Sequence, residues 1–339
     1  MRLAVWEWRK LFRMPALWVF VGLCLALNGQ RVDDEFQTGL AALPDTENRE
    51  LLRQSVVGLE NTLEDYDTEE LTNFYQSLME GDRLAQNWIV WKYDLLQERV
   101  DSLAQTGAAL DLYVGPITHD SHQYLYNTLF RVLLTESVLL GLLCALYLVG
   151  YEGLSGTQFL ACVSRTGRRL WKHKTLAALT AALGLYALLT LLTMGPYLLL
   201  WDYRGIWDSS VSSQFNYFVD MLYSRPFLTW ADFTVGSYFA AMIVAGGGLV
   251  AVFTLIGAVA GLLIRHTYGA AIAAAAFCAL LLGLSSTLAS LGLWSAYLLT
   301  TFSPVCLWLA INGWFTELGQ MGLVPWQETV RRFGRKDVA

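Results

Sequence analysis

Few residues in this sequence have the types and spacing that catalysis requires. Ser155 lies in the run Gly-Leu-Ser-Gly over 153–156, which could present a serine nucleophile. Such a serine needs a histidine within hydrogen-bond reach and shielded from bulk water. The four histidines lie outside the apolar runs or at their ends: His119, His122, His173 and His266. The sequence also lacks a G-x-x-x-x-G-K-[ST] phosphate loop, an H-E-x-x-H pair and a CxxC spacing. We therefore predict no catalytic site, no metal site and no ATP site in this chain.

One carboxylate lies well inside an apolar run, at Glu136 of the sequence TESVLLGLLCALYLVG. Arg131 precedes it by five residues. An ionisable side chain within a membrane segment is costly, and it usually faces either the interior of a helix bundle or a water-filled path. The sequence leaves two roles open for Glu136. One is a structural pairing, with Arg131 or with a neighbouring helix, and the other is a place with Arg131 in a transport path.

Charged residues concentrate instead in the segment over 151–174, YEGLSGTQFLACVSRTGRRLWKHK, which separates two long apolar runs. Its central apolar stretch, FLACV, offers a face that a partner's groove could bury, and the flanking charges would fix the register of that contact. A solvated loop would need the basic residues but not the ordered series of Glu, Gly-Thr and Gly-Arg. The pattern therefore favours a docking loop over a solvated one.

Long apolar helices must position these residues. The chain has 339 residues, of which 55% are hydrophobic and 15% charged, and its mean hydropathy is +0.40. Soluble domains carry roughly 25% charged residues, and several apolar runs here exceed the roughly 18 residues that cross a bilayer. We therefore predict an all-α polytopic membrane protein. Membrane helices are predicted at about 14–29, 125–150, 175–200, 235–264 and 268–290.

Two features of these apolar segments leave alternatives open. The segment over 291–316 contains Pro304, so it is either one kinked span or two short re-entrant pieces. With it, the predicted total is about six transmembrane helices. The spacing Gly257-x-x-x-Gly261 in the fourth helix predicts close helix packing, either within the chain or across a dimer.

The first 30 residues combine an interfacial helix with the first membrane helix. In MRLAVWEWRKLFR, bulky apolar residues mix with charged ones, as in an amphipathic helix that lies in the membrane interface. The residues that define it are Trp6, Glu7, Trp8, Arg9 and Lys10. Pro15 then suits the first turn of a membrane helix. No A-x-A cleavage site follows the apolar run, so we predict a retained helix and not a signal peptide.

Residues 31–123 have a different composition from the rest of the chain. They hold 19 of its 29 Asp and Glu but only 6 of its 23 Lys and Arg. Apolar residues recur there at three- and four-residue spacing, which predicts two or three amphipathic helices with the sequence MEGD at 79–82 as a turn. Leu, Trp and Tyr are frequent enough to build a small core, so we predict a folded, acidic, helical domain.

The distribution of Lys and Arg predicts the orientation in the membrane. The N-terminus, the 151–174 loop, Arg265 and the tail over 317–339 are basic, and basic loops lie in the cytoplasm. We therefore expect both termini in the cytoplasm and the acidic domain over 31–123 on the extracytoplasmic side. The predicted helix bundle over 124–316 lies in the cell membrane.

The 151–174 loop resembles the first cytoplasmic loop of the type-two ABC exporter permeases. That family has the pattern E-x-x-x-G-T, a few apolar residues, a small residue with Arg or Gly-Arg, and a Lys that leads into the next span. The matching positions are Glu152, Gly156, Thr157, Ser164, Arg165, Gly167, Arg168 and Lys174. The N-terminal WEWRKLFR resembles the interfacial helix of that family, and RRFGRKDVA resembles its C-terminal tail. The apolar helix expected just before that tail is missing.

The resemblance implies a permease subunit of an ATP-driven exporter in a bacterial, Gram-positive-like cell membrane. In such permeases the loop holds a coupling helix that docks on a separate ATPase subunit, and Phe159 and Leu160 would belong to its apolar face. ATP and magnesium would bind to that ATPase, and a second permease copy would complete a homodimer or heterodimer. This chain would itself be no enzyme, and no nucleic-acid partner is expected. The alternative is a membrane sensor or immunity protein whose outer domain binds a peptide without transport.

Overall fold

A computed structural model of the chain describes residues 2–42, 61, 63–108, 119–157, 167–201, 203, 207–213, 218–219, 224–225, 227–264 and 266–319. Four predicted coupling residues lie outside these ranges: Phe159, Leu160, Ser164 and Arg165. The basic tail from residue 320 onward also lies outside them.

The described residues are almost entirely helical. The helices are α1 Arg2–Phe12, α2 Pro15–Ala42, α3 Glu69–Leu78, α4 Arg83–Gln105, α5 His119–Tyr124, a π-helical segment Leu125–Phe130, α6 Arg131–Leu154, α7 Gly167–Leu200, α8 Val235–Leu263, α9 Thr267–Ser290, α10 Trp294–Thr300, α11 Pro304–Leu309 and a 3₁₀ turn Ile311–Gly313. Two short antiparallel strands, β1 Phe218–Val219 and β2 Ser224–Arg225, form a hairpin that was not predicted.

Five helical stretches are long and apolar enough to cross a membrane. They are Pro15–Gly39, His122–Leu154, Leu170–Leu200, Val235–Leu263 and Thr267–Ser290. Each spans more than the about 20 residues that traverse the hydrocarbon core. The predicted helical, multi-pass membrane fold is therefore confirmed.

The first membrane helix is longer than predicted. The apolar run ends near Gly29, but α2 continues to Ala42. No proline interrupts the chain between Pro15 and Pro44, and a proline disfavours helical geometry in the residue before it. The helix therefore carries on past the apolar run, and the predicted boundary at residue 31 is a change of composition and not the end of a helix.

The segment over 291–316 is not a continuous helix. Its pieces α10, α11 and the 3₁₀ turn have seven, six and three residues. Gly292 has a φ of +70°, which separates α9 from α10. Ser303 then caps α11 by accepting a hydrogen bond from the Cys306 backbone N–H at 3.4 Å, with Pro304 in the first turn. The described residues thus hold five helices that are long and apolar enough to span, and the 291–316 segment forms short pieces in place of one continuous helix.

The chain divides into two compact units. Unit 1 contains Met1–Gln37, Thr128–Leu200 and Met242–Leu281. Its core is built from small and branched apolar residues, and Gly257 and Gly261 of the fourth membrane helix pack within the chain. A Cβ added to Gly257 would lie 3.2 Å from the Cβ of Ala145, and one added to Gly261 would lie 2.9 Å from Val149 Cγ1. The Gly-x-x-x-Gly spacing therefore serves close packing against α6.

Unit 2 contains Thr38–Asn127, Trp201–Ala241 and Leu282–Ala339. The predicted MEGD turn joins α3 to α4, with Gly81 at a φ of +95° and Asp82 accepting a hydrogen bond from the Ala85 backbone N–H at 3.2 Å. The stacked rings of Tyr75 and Tyr93, 5.8 Å apart, hold the two helices together.

Side chains of α4 join the other segments of unit 2. Arg99 donates to the Thr229 carbonyl at 3.0 Å and to the Asp232 carboxylate at 2.6 Å. Lys92 donates to the Glu317 carbonyl at 2.9 Å. Three segments that are distant in sequence therefore form one packed unit.

Candidate functional site

A cluster of four charged side chains joins three helices of unit 1. We call Glu7 and Lys10 of α1, Glu152 of α6 and Lys174 of α7 the charge cluster. Lys10 Nζ lies 2.7 Å from Glu7 Oε1 and 3.2 Å from Glu152 Oε1. Lys174 forms an ion pair with Glu152, and its Nζ lies 3.8 Å from Glu7 Oε2. The cluster combines two residues of the predicted interfacial helix with two of the predicted coupling loop.

The amphipathic pattern of α1 places this helix against α7. Leu11 is fully buried in the core of unit 1, on the same face as Glu7. The Trp8 indole N–H lies 3.1 Å from both the Ala177 carbonyl and the Thr180 hydroxyl. These contacts fix the position of α1, so Glu7 and Lys10 reach the charges of α6 and α7.

The opposite face of α1 carries the remaining predicted interfacial residues. Trp6 and Arg9 are exposed, and the Arg9 guanidinium lies 5.3 Å from the centre of the Trp6 ring. An exposed pair of an aromatic and a cationic side chain suits the membrane interface. The predicted interfacial residues therefore lie on two faces of α1: Glu7 and Lys10 belong to the charge cluster, whereas Trp6 and Arg9 are exposed.

Lys174 ties the two ends of the 151–174 loop together. Its side chain has 0% exposure, and its ammonium donates to the Leu148 carbonyl and to the Glu152 carboxylate. Leu148 and Glu152 lie in the last turns of α6, whereas Lys174 lies near the start of α7. The helices that lead into and out of the loop are therefore joined at their bases.

The charges of the cluster balance one another. Two carboxylates face two ammonium groups, and all but Lys10 are buried. Burial alone would lower the pKa of Lys10, but its hydrogen bond to Glu7 and the attraction of Glu7 and Glu152 outweigh that effect and raise the pKa. The ring of Tyr151 adds a cation–π contact to Lys10 at 4.6 Å. Removal of one partner from such a buried network leaves an uncompensated charge.

Gly156 and Thr157 end α6 and direct the chain into the loop. The Thr157 N–H donates to the Glu152 carbonyl at 3.0 Å, and the Gly156 N–H donates to the Gly153 carbonyl at 3.3 Å. Gly156 has a φ of +71°. This pair of bonds with a left-handed glycine is the Schellman ending of a helix. The Glu-x-x-x-Gly-Thr series is therefore one structural feature. It forms the end of α6, and its first residue, Glu152, belongs to the charge cluster.

Three other loop residues lie at the two ends of the loop. Ser155 is exposed, and its hydroxyl lies 2.8 Å from that of Thr157 and 3.4 Å from the Glu152 carbonyl. These partners belong to the helix end. Gly167 and Arg168 begin α7 and so lie at the far end of the loop.

Glu136 pairs with a residue that the sequence analysis missed. The Asn28 side-chain amide donates to Glu136 Oε2 at 2.7 Å and lies 3.5 Å from the Thr193 hydroxyl. Arg31 in turn donates to the side-chain amide oxygen Oδ1 of Asn28 at 3.2 Å. Arg131, by contrast, is exposed. The partner of Glu136 is therefore on the neighbouring helix α2, and the available signal was a lone Asn within the apolar run LCLALNG.

Comparison with known proteins adds no identification to this geometry. The chain matches no protein-family model, and no curated protein or solved structure shows significant similarity to it.

Proposed function

We propose that this chain is the membrane-spanning permease subunit of an ATP-driven ABC exporter. A separate ATPase subunit would bind ATP and magnesium, and a second permease copy would complete the transporter. The N-terminus and the 151–174 loop would face the cytoplasm of a bacterial cell. Closure of the ATPase subunits would act on the loop and switch the helix bundle between its inward- and outward-facing states.

The charge cluster is the observation that supports this proposal best. A loop that a partner subunit moves must transmit that movement to the membrane helices and must not deform on its own. The Lys174 ion pair joins the two helices at the base of the loop, and Lys10 and Glu7 join α1 to the same point. A displacement of the loop would therefore move α1, α6 and α7 together.

The order of the membrane helices is consistent with an extracytoplasmic domain made of several segments. With the N-terminus inside, five crossings would leave the segments after the first, third and fifth spans on the outer side. Those segments are the ones that make up most of unit 2. The same count would leave the basic tail outside, against the charge rule that predicts it inside. A cysteine introduced at Lys336 and labelled by an impermeant maleimide in intact cells distinguishes the two locations.

Co-purification with an ATPase tests the proposed function. The full-length chain would be expressed with a P-loop ATPase encoded beside its gene, extracted in detergent, and assayed for a stable complex and for stimulated ATP hydrolysis. We expect a complex that the double change Arg165→Glu and Arg168→Glu disrupts, because both residues belong to the docking loop. The charge reversal Arg83→Glu, at an exposed position of α4, serves as the control and should leave the complex intact.

A second candidate is a membrane sensor or immunity protein whose outer domain binds a peptide. It is favoured by an open cleft of about 450 Å³ in unit 2, which is lined by Asp208, Asp232 and the end of α4. The Asp208 carboxylate would attract a cationic group of a peptide, whereas Asp232 is already paired with Arg99. This alternative requires no ATPase. It gains support if the purified chain binds cationic peptides while no ATPase is recruited and the loop reversals change nothing.

A further inference from the structure

The hairpin of α3 and α4 carries its exposed apolar residues at one end. Phe74 and Leu78 lie on α3, and Leu84 and Trp91 lie on α4, all within about three turns of the Gly81 turn. Leu84 is 75% exposed and Trp91 52%. We call residues 74–91 the hairpin tip. A soluble surface does not usually expose neighbouring large apolar side chains in this way without a partner.

The same outward face of α4 becomes acidic farther from the turn. Leu84, Trp91 and Glu98 follow one another at seven-residue intervals, so they lie on one face of the helix. Asp94, Glu98 and Asp101 are all exposed. Because a helix rises 1.5 Å per residue, Leu84 and Glu98 are about 21 Å apart along the axis. One face therefore changes from apolar to anionic over a distance greater than the depth of a membrane interface.

The hairpin tip is joined to the residues that follow the fifth membrane span. Asp82 accepts hydrogen bonds from the Ser295 backbone N–H at 2.7 Å and from the Ser295 hydroxyl at 2.6 Å. Ser295 is in α10, which begins four residues after α9 ends at Ser290. Four residues reach at most about 13 Å. The tip is therefore held close to the point where α9 would leave the bilayer.

The residues around this junction have the composition of a membrane interface. Leu291, Leu293 and Leu299 are exposed, and Leu299 is 68% exposed. Trp294 begins α10, and Trp91 lies on the hairpin tip. Tryptophans concentrate at the headgroup level, where their rings contact apolar chains and their N–H groups contact polar ones.

We propose that the hairpin tip and α10 are seated in the headgroup region of the bilayer, with Leu84 and Trp91 in contact with lipid and the acidic half of α4 in water. The occupant of this surface is a lipid bilayer of no particular charge, because the exposed charges of the turn, Glu80 and Arg83, are opposite in sign. The inference goes beyond the proposed function and holds for a permease or for a sensor.

Site-specific photocrosslinking tests this placement. A benzophenone amino acid would replace Leu84, Trp91 or Glu98, one at a time, in the full-length protein reconstituted in phosphatidylcholine vesicles with a trace of alkyne-tagged phosphatidylcholine. Each position is exposed, and gel filtration verifies that each variant is folded. We expect positions 84 and 91 to give several-fold more tagged-lipid adduct than position 98, which lies on the same face.

Apolar contact and charge attraction give different salt responses. The lipid adduct at position 84 should be unchanged between low and high salt, because salt screens charges and not apolar burial. Equal lipid labelling at positions 84 and 98 overturns the placement. So does an adduct at position 84 that joins two copies of the chain or a protein partner in place of lipid.

Discussion

Two buried lysines, one in each compact unit, have different partners. Lys174 in unit 1 has 0% exposure, and its ammonium contacts the Glu152 carboxylate, with that of Glu7 3.8 Å away. Lys92 in unit 2 is 3% exposed, and its ammonium donates to the neutral carbonyl of Glu317. Lys174 is thus ion-paired with a carboxylate, whereas the hydrogen bond of Lys92 is to a backbone carbonyl.

The two lysines differ in how much opposite charge lies near their buried ammonium groups. Burial lowers the pKa of Lys92 to about 8, despite the attraction of Glu317. Lys174 has two carboxylates to compensate its charge, which suits a residue that must hold helices together. Lys92 lies close to losing its proton at mildly alkaline pH, so its contribution to stability depends on pH.

The largest expected effect is the loss of the Lys174 ammonium. The change Lys174→Ala leaves Glu152 and Glu7 buried with one cation fewer, which should lower the free energy of unfolding by about 3–5 kcal/mol. Denaturation of the solubilised protein measures it. Lys172→Ala is the matched control, because Lys172 is exposed two residues earlier, and should change stability by less than about 0.5 kcal/mol. Equal effects of the two changes would mean that the charge cluster contributes nothing specific.

A somewhat smaller effect is expected from the titration of Lys92. The folded pKa lies below the unfolded value, so burying the charged form costs about 3 kcal/mol at pH values below 8. That cost disappears as the pH rises from 8 to about 10.5, because the folded protein loses the proton first. The free energy of unfolding of the wild type should therefore rise over this range relative to that of Lys92→Met. Parallel pH profiles for the two proteins would refute a depressed Lys92 pKa.

The smallest expected effect concerns the neutral partner of Glu136. Asn28→Leu removes the amide that donates to the buried carboxylate, which should cost about 1–3 kcal/mol. Glu136→Gln keeps an oxygen that can accept from Asn28 and should cost less, about 1 kcal/mol at most. Thermal unfolding of both variants in detergent compares them. A larger loss for Glu136→Gln would indicate that the ionised carboxylate itself stabilises the helices.

The same pair of variants addresses the role of Glu136 that the sequence left open. Full transport by a stable Glu136→Gln protein assigns Glu136 to structural pairing. Loss of transport with normal stability assigns it to the transport path.

The membrane helices could be predicted closely because bilayer thickness fixes the length of an apolar helix. The predicted fourth span over 235–264 is found as Val235–Leu263, and the fifth over 268–290 as Thr267–Ser290. The end of α2 was missed because the apolar run stops at Gly29 while helical geometry continues. The amino-acid composition indicates where a helix leaves the bilayer, whereas helix-breaking residues such as proline indicate where the helix itself ends.

The candidate site was predicted as separate parts and not as an assembly. Glu7 and Lys10 were singled out as interfacial, and Glu152 and Lys174 as part of the loop. Their meeting depends on how Trp8 and Leu11 dock α1 on its neighbours, which no local pattern records. Asn28 was overlooked although a lone amide in an apolar run is itself a signal of a polar contact between helices.

Stimulation of the partner ATPase by the permease tests the central claim most directly. The informative variant is the double change Glu152→Gln and Lys174→Met, which removes one charge of each sign and leaves Lys10 paired with Glu7. It should be more stable than Lys174→Ala, because the two remaining charges, Glu7 and Lys10, still compensate each other. We predict that the wild type and Lys172→Ala stimulate ATP hydrolysis, whereas the folded double variant binds the ATPase without stimulating it. An ATPase that is never recruited by the wild type, or is stimulated equally by the double variant, would contradict coupling through the charge cluster.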